Sequence, residues 1–278
     1  MARPEDIPAD GVPPCPARCA AAGLMPHIGV SWPRSGHHLL VRLLQHALGP
    51  GFGYCQHYHT SAACCGRLPC LRGDIHLTKS HDFAGDLPQL QGRRYLVQHR
   101  AFLPSVISDF ELVVRGGGED SRSAFLRHAS RRFGAFRTFR SRWVESDFAR
   151  RQIVLCYEDL VADPEEALGR VLASLAPGPG PDPARIACAV REVDGERIER
   201  GAVQHLRGAG VHAPRDPRRF RHHDPELFAL LARLRLTRED VLTKIGTDGG
   251  MPDEAEIIRL QAGGTPTGDT PLAPGGDP

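Results

Sequence analysis

The sequence predicts a single α/β domain, and three observations carry that prediction. The chain has 278 residues, enough for one such domain with a large core. Short strand-like runs recur at Ile28–Trp32, Ile75–Thr78, Arg94–Arg100 and Gln152–Cys156. Helical patterns are interleaved with them, most clearly after the first and third.

The first unit, IGVSWPRSGHHLLVRLL from Ile28 to Leu44, is the most informative. Its apolar run enters the turn Pro33-Arg34-Ser35-Gly36. A helix follows, with Leu39, Leu40, Leu43, Leu44 and Ala47 on one face. Strand, glycine-containing turn and helix together point backbone N–H groups at an anion. Arg34 adds a fixed positive charge and Ser35 a hydroxyl donor, so the loop reads as a phosphate cradle. The plain alternative is a turn in which Ser35 caps the helix. The loop is not a Walker A motif, because Gly36 is its only glycine and no Gly-Lys-Ser/Thr follows.

Composition excludes several classes. The formal charge is +2, so no basic excess points to nucleic acid. No apolar run is long enough to span a membrane. The start, MARPEDIPADGVPP, lacks a basic n-region and an apolar h-region, so the expected location is the cytoplasm. Residues 1–26 read as a disordered lead, 27–245 as the globular domain and 246–278 as a flexible tail. Of 35 basic side chains only Lys79 and Lys244 are lysines, which suggests a site that needs a compact ammonium.

Eight cysteines are present, four of them between Tyr54 and Cys70 beside His57 and His59. Cys55, Cys64, Cys65 and Cys70 do not have the spacing of two C-x-x-C pairs. Free thiols in a loop are the favoured reading, with zinc and disulfides as alternatives.

The second strand-like run leads into Lys79-Ser80-His81. An ammonium and an imidazole two residues apart point the same way if the strand persists. Histidine suits proton abstraction near neutral pH, and lysine can pair with a transferring anionic group. The third run ends in Arg100, and Ser108 follows eight residues later on a helix read over Leu103–Val114. An arginine fork and a helical hydroxyl can grip one phosphate from two sides. The fourth run leads into Tyr157-Glu158-Asp159-Leu160 and then Asp163-Pro164-Glu165-Glu166, a helix start with Asp163 as cap. Ser121–Arg151 interleaves arginines with Phe125, Phe133, Phe136 and Trp143. An amphipathic helix with a solvated basic face is favoured there over an anion grip.

Four segments in order, over about 140 residues, give the chain a resemblance to the sulfotransferase superfamily. The P-R-S-G turn resembles its 5'-phosphosulfate loop, and Lys79-Ser80-His81 its K-T-H segment. Arg100 and Ser108 match the spacing of its 3'-phosphate segment, and Tyr157–Pro164 its Y-E-D-L…D-P segment. Four positions depart from the family's pattern. Arg34 replaces a lysine common in cytosolic members, Leu39 stands where they carry an adenine-stacking tryptophan, and His37-His38 replaces a Thr/Ser pair. The late R-K-G-x-x-G motif is degenerate, with Arg207-Gly208-Ala209-Gly210 the better candidate and Arg200-Gly201 its rival.

The resemblance implies a central parallel sheet of about five strands flanked by helices, with P-loop-like topology. It implies 3'-phosphoadenosine 5'-phosphosulfate as donor, and a hydroxyl or amine of a small molecule or glycan as acceptor. His81 is then the base. Lys79 and Arg34, with the N–H groups of Ser35, Gly36, His37 and His38, face the phosphosulfate bridge. Arg100 and Ser108, with Arg207 and Gly208, hold the 3'-phosphate, and no metal is required. Two other classes remain open: a nucleotide-binding protein without turnover, and a small-molecule kinase. The kinase needs a magnesium-binding acid by the loop and a Walker lysine, and the sequence places neither.

Overall fold

The computed structural model describes residues 23–57, 66–83, 85–176, 178, 181–196 and 216–233. It is an α/β fold with one five-stranded, all-parallel sheet. The strands are β1 (His27–Ser31), β2 (Tyr54–Gln56), β3 (Leu77–Ser80), β4 (Arg94–His99) and β5 (Ile153–Cys156), in spatial order β2-β3-β1-β4-β5. The chain moves out from β1 to one side through β2 and β3, then crosses to the other side for β4 and β5. The C-terminal ends of β1, β3 and β4 therefore border the crevice that such a reversal opens.

Helices cover both faces. The helix α1 (His37–Leu48) packs on one face with α5 (Pro164–Leu175) and α6 (Pro183–Gly195) over Leu77, Leu96 and Leu155. On the other face, α2 (Phe102–Arg115), α3 (Arg122–Trp143) and α7 (Pro225–Ala232) cover Ile28, Val30, Tyr95 and Val97. Burial on both faces explains why the strands read as short apolar runs. The short helix α4 (Tyr157–Ala162) follows β5 directly.

The predicted local signals do their work. Asp163 caps α5, its carboxylate accepting from the Glu166 amide at 3.0 Å, with Pro164 in the first turn. Asp224 caps α7 in the same way through Leu227 N at 2.9 Å. The arginine-rich segment is an amphipathic helix whose aromatic stripe, from Phe125 to Trp143, lies in the core. Several of its arginines are tied up locally, Arg127 with Glu119 and Arg140 with Glu145.

Three boundaries differ from the sequence reading. The lead does not run to residue 26, because Leu24 is buried and Met25 N donates to Leu175 O at 2.7 Å. The second run is a strand over Leu77–Ser80 rather than Ile75–Thr78. His76 Nδ1 accepts from Gly53 N at 2.9 Å, which holds it to the chain ahead of β2. Tyr54–Gln56, within the cysteine-rich stretch expected to be loop, forms the edge strand β2. Cys55 and Cys70 are buried thiols outside any disulfide, whereas Cys188 is disulfide-bonded. Cys64, Cys65 and His59 lie outside the described residues, as does most of the lead and all of the tail. Among the described residues no helix is long and apolar enough to cross a membrane.

Candidate functional site

The site is assembled where four parallel strands end. The turn after β1 brings Arg34 to His38, β3 brings Lys79 and His81, β4 brings Arg100, and β5 brings Tyr157 and Glu158.

The turn is held in an uncommon shape. Arg34 has φ 63° and Gly36 φ 78°, both left-handed. For Arg34 that conformation is strained. It is held by Arg100, whose Nη1 donates to Arg34 O at 3.2 Å, and by the Arg34 side chain, whose Nε donates to Ser108 Oγ at 3.0 Å. Gly36 is the N-cap of α1 and supplies no side-chain cap. The first turn of a helix has amide hydrogens without intrahelical acceptors, so this end presents donors to an anion.

Ser35 does not act as the sequence suggested. It is neither the cap nor an outward donor. Its hydroxyl donates to Trp32 O at 2.6 Å, and its amide also turns back to Trp32 O at 3.3 Å. Gln98 Nε2 donates to Ser35 O at 2.8 Å from beneath. Ser35 is therefore a staple that shapes the turn.

Lys79 and His81 come together as predicted, on β3 and just past its end. His81 Nδ1 lies 2.6 Å from Ser31 O. A carbonyl can only accept, so Nδ1 carries the proton and the basic lone pair is on Nε2. Burial, then the Lys79 charge, pushes the His81 pKa down to about 3. The expectation of a base titrating near neutrality is thus not met by this arrangement. Burial also lowers Lys79, to about 8, with the Arg34 charge as the second cause. His37 is pushed well below its ordinary value by burial and by Lys79, His38 and His81, and its Nε2 meets Tyr54 Oη at 2.9 Å.

These shifts share a cause. Cationic and imidazole groups crowd into a poorly solvated space, and Lys79 forms no ion pair with a described carboxylate. Such a cluster disfavours its own charges until negative charge enters it. It fits an anion rich in oxygen acceptors.

Arg100 and Ser108 are near each other but do not form a simple pair of jaws, because Arg34 lies between them. Arg100 stacks over the Tyr157 ring at 4.1 Å and stands 3.7 Å from Glu158. Tyr157 and Glu158 belong to a segment to which the sequence assigns no site role. Their position after a strand of a parallel sheet was the available signal. Phe83 was also missed: it is exposed, and its ring lies 5.0 Å from that of His81. Leu39 is partly buried against the core. Arg207 and Gly208 lie outside the described residues, as does the rival pair. Among those residues no cluster of three or more His, Cys, Asp or Glu side chains forms a metal site.

No family model matches the chain, and no curated protein matches it.

Proposed function

We propose that the chain is a sulfotransferase using 3'-phosphoadenosine 5'-phosphosulfate, with a hydroxyl or amine of a small molecule or glycan as acceptor. The observation that carries this reading is the convergence of Arg34, Lys79 and His81 around the amino end of α1, with no carboxylate among the described residues paired to Lys79. An anionic donor suits that charge, and its oxygens suit the amides of Gly36, His37 and His38. Arg100 and Ser108 would hold the 3'-phosphate once Arg34 turns to the ligand. The donor, when bound, supplies the sulfuryl group.

The protein's own part is proton transfer and charge compensation. His81 Nε2 takes the acceptor's proton, while the Nδ1–H···O=C bond to Ser31 fixes the ring and its tautomer. Lys79 and Arg34 offset the charge that gathers on the oxygen left behind. The proposed setting is the cytoplasm, and thiol labelling in intact cells, which reads whether Cys188 is oxidised there, tests it.

The test is calorimetric titration with adenosine 3',5'-bisphosphate, which probes the donor site without an acceptor. Micromolar or tighter binding is expected, with His81→Ala binding equally well and turning over on the order of a hundredfold more slowly. Absence of binding to the wild-type chain overturns the reading.

A further inference from the structure

Asp82 directly follows His81 and is itself in the left-handed region, at φ 48°. That is a strained conformation for a residue with a side chain, and it persists only when the surroundings over-determine it. Here they do. The Asp82 carboxylate is almost fully buried. Its Oδ2 accepts from Trp143 Nε1 at 2.5 Å and stands 3.5 Å from Arg142 Nε. Its Oδ1 accepts from the Leu87 amide at 2.8 Å. Asp82 N in turn lies 3.3 Å from Ser80 Oγ. Trp143 and Arg142 form the last turn of α3, and Arg142 also donates to Leu87 O. The end of the arginine-rich helix thus grips the chain immediately past the imidazole.

We propose that Asp82 is the positioning residue of His81: anchored to the end of α3, it fixes the left-handed turn that sets the imidazole on the Ser31 carbonyl. The proposal rests on the reading of His81 as base. It gives a use to a carboxylate buried one residue from that base: its oxygens face Leu87 and the α3 anchor of Trp143 and Arg142. Groups that act on the ring include Lys79 on its own strand, Ser31 on β1, His37 and His38 on α1, Arg132 on α3 and the neighbouring Phe83 ring.

The experiment is a titration of the histidine ring resonances by NMR in the full chain without ligand. In the wild type His81 is expected to stay neutral through the ordinary imidazole range and to protonate only near pH 3. Asp82→Ala releases the turn, the ring leaves the Ser31 carbonyl for solvent, and its proton affinity rises by at least about a hundredfold. Asp82→Asn tolerates the left-handed backbone and keeps an acceptor for Leu87 but turns its amide N–H group towards Trp143 Nε1–H, so an intermediate rise of about tenfold is expected. Should Asp82→Ala not fold, Trp143→Phe removes one of the anchors, and a rise of about tenfold is expected. A folded Asp82→Ala with His81 unmoved overturns the proposal; so does an unmoved His81 in Trp143→Phe where the alanine variant is unfolded. A loss of melting temperature alone does not support it. The titration is independent of the sulfotransferase reading, which fails instead if the wild-type chain does not bind adenosine 3',5'-bisphosphate; the assignment of His81 as base fails if His81→Ala keeps its turnover.

Discussion

Gly36→Ala is the sharpest perturbation of the anion loop. Gly36 has φ 78°, and a Cβ built there lies 2.4 Å from Tyr157 Cδ2 and 2.7 Å from Cε2. The left-handed backbone alone costs an alanine roughly 1–2 kcal/mol. The overlap adds roughly 1–3 kcal/mol, since Arg100 stacks on the Tyr157 ring and hinders its movement. The expected loss is therefore roughly 2–5 kcal/mol, a large fraction of a domain's total stability. Urea unfolding measures it, and calorimetry with adenosine 3',5'-bisphosphate measures the cradle in parallel. In a Tyr157→Ala background the overlap disappears, and Gly36→Ala should cost only about 1–2 kcal/mol. Equal costs in the two backgrounds would refute the role given to the tyrosine ring. A Gly36→Ala protein that is folded and binds the nucleotide normally would show that the cradle lies elsewhere.

Arg100→Ala should weaken binding of adenosine 3',5'-bisphosphate by about 1.5–3 kcal/mol and hardly change that of 5'-AMP; equal losses by calorimetry would misassign the 3'-phosphate site. The pH profile of kcat/KM should lack an acid limb at the ordinary imidazole pKa of about 6.5, because burial holds His81 at about 3 in the free protein. It should fall above about pH 8, where Lys79 loses its proton; a rise through the ordinary imidazole range would contradict the burial argument. Stability should fall on acidification. His27, His37 and His81 have folded pKa values below the unfolded value, so the unfolded chain binds more protons and stability is fully present only above about pH 6.5. It is lost as pH falls towards the folded values, about 3 for His81, and denaturation midpoints that are equal at pH 7 and pH 4 would rule this out.

What was legible in the sequence was local. Asp163-Pro164 and Asp224-Pro225 mark helix starts because cap and ring act within one turn. Lys79 and His81 were legible as a pair through period-two alternation alone. What was hidden depends on partners far along the chain. The inward turn of the Ser35 hydroxyl is made with Gln98 in place beneath the loop, 63 residues away. The edge strand β2 has three residues and owes its conformation to pairing with β3. Tyr157 reads as the start of a helix; only the sheet order brings its ring against Gly36. The depressed basicity of His81 comes from burial, which no pattern of neighbouring residues encodes.

The same burial bears on how the proposed reaction reaches useful rates. A base held near pKa 3 is deprotonated at neutral pH but takes up a proton weakly. The causes of its depression are desolvation and then the Lys79 charge. An oxyanion placed between Lys79, Arg34 and the amino end of α1 offsets the second cause and leaves the first. It raises the proton affinity of His81 Nε2 and, at the same time, that of Lys79, whose own depression has Arg34 as its second cause. Binding and basicity are then linked: the ligand that brings negative charge strengthens the base it needs and keeps the lysine charged. Without an anion the cluster stays weakly basic, and an acceptor arriving alone meets an imidazole poorly suited to deprotonate it. On the proposed reading the order of charge, donor before proton transfer, follows from the packing of these residues around the loop.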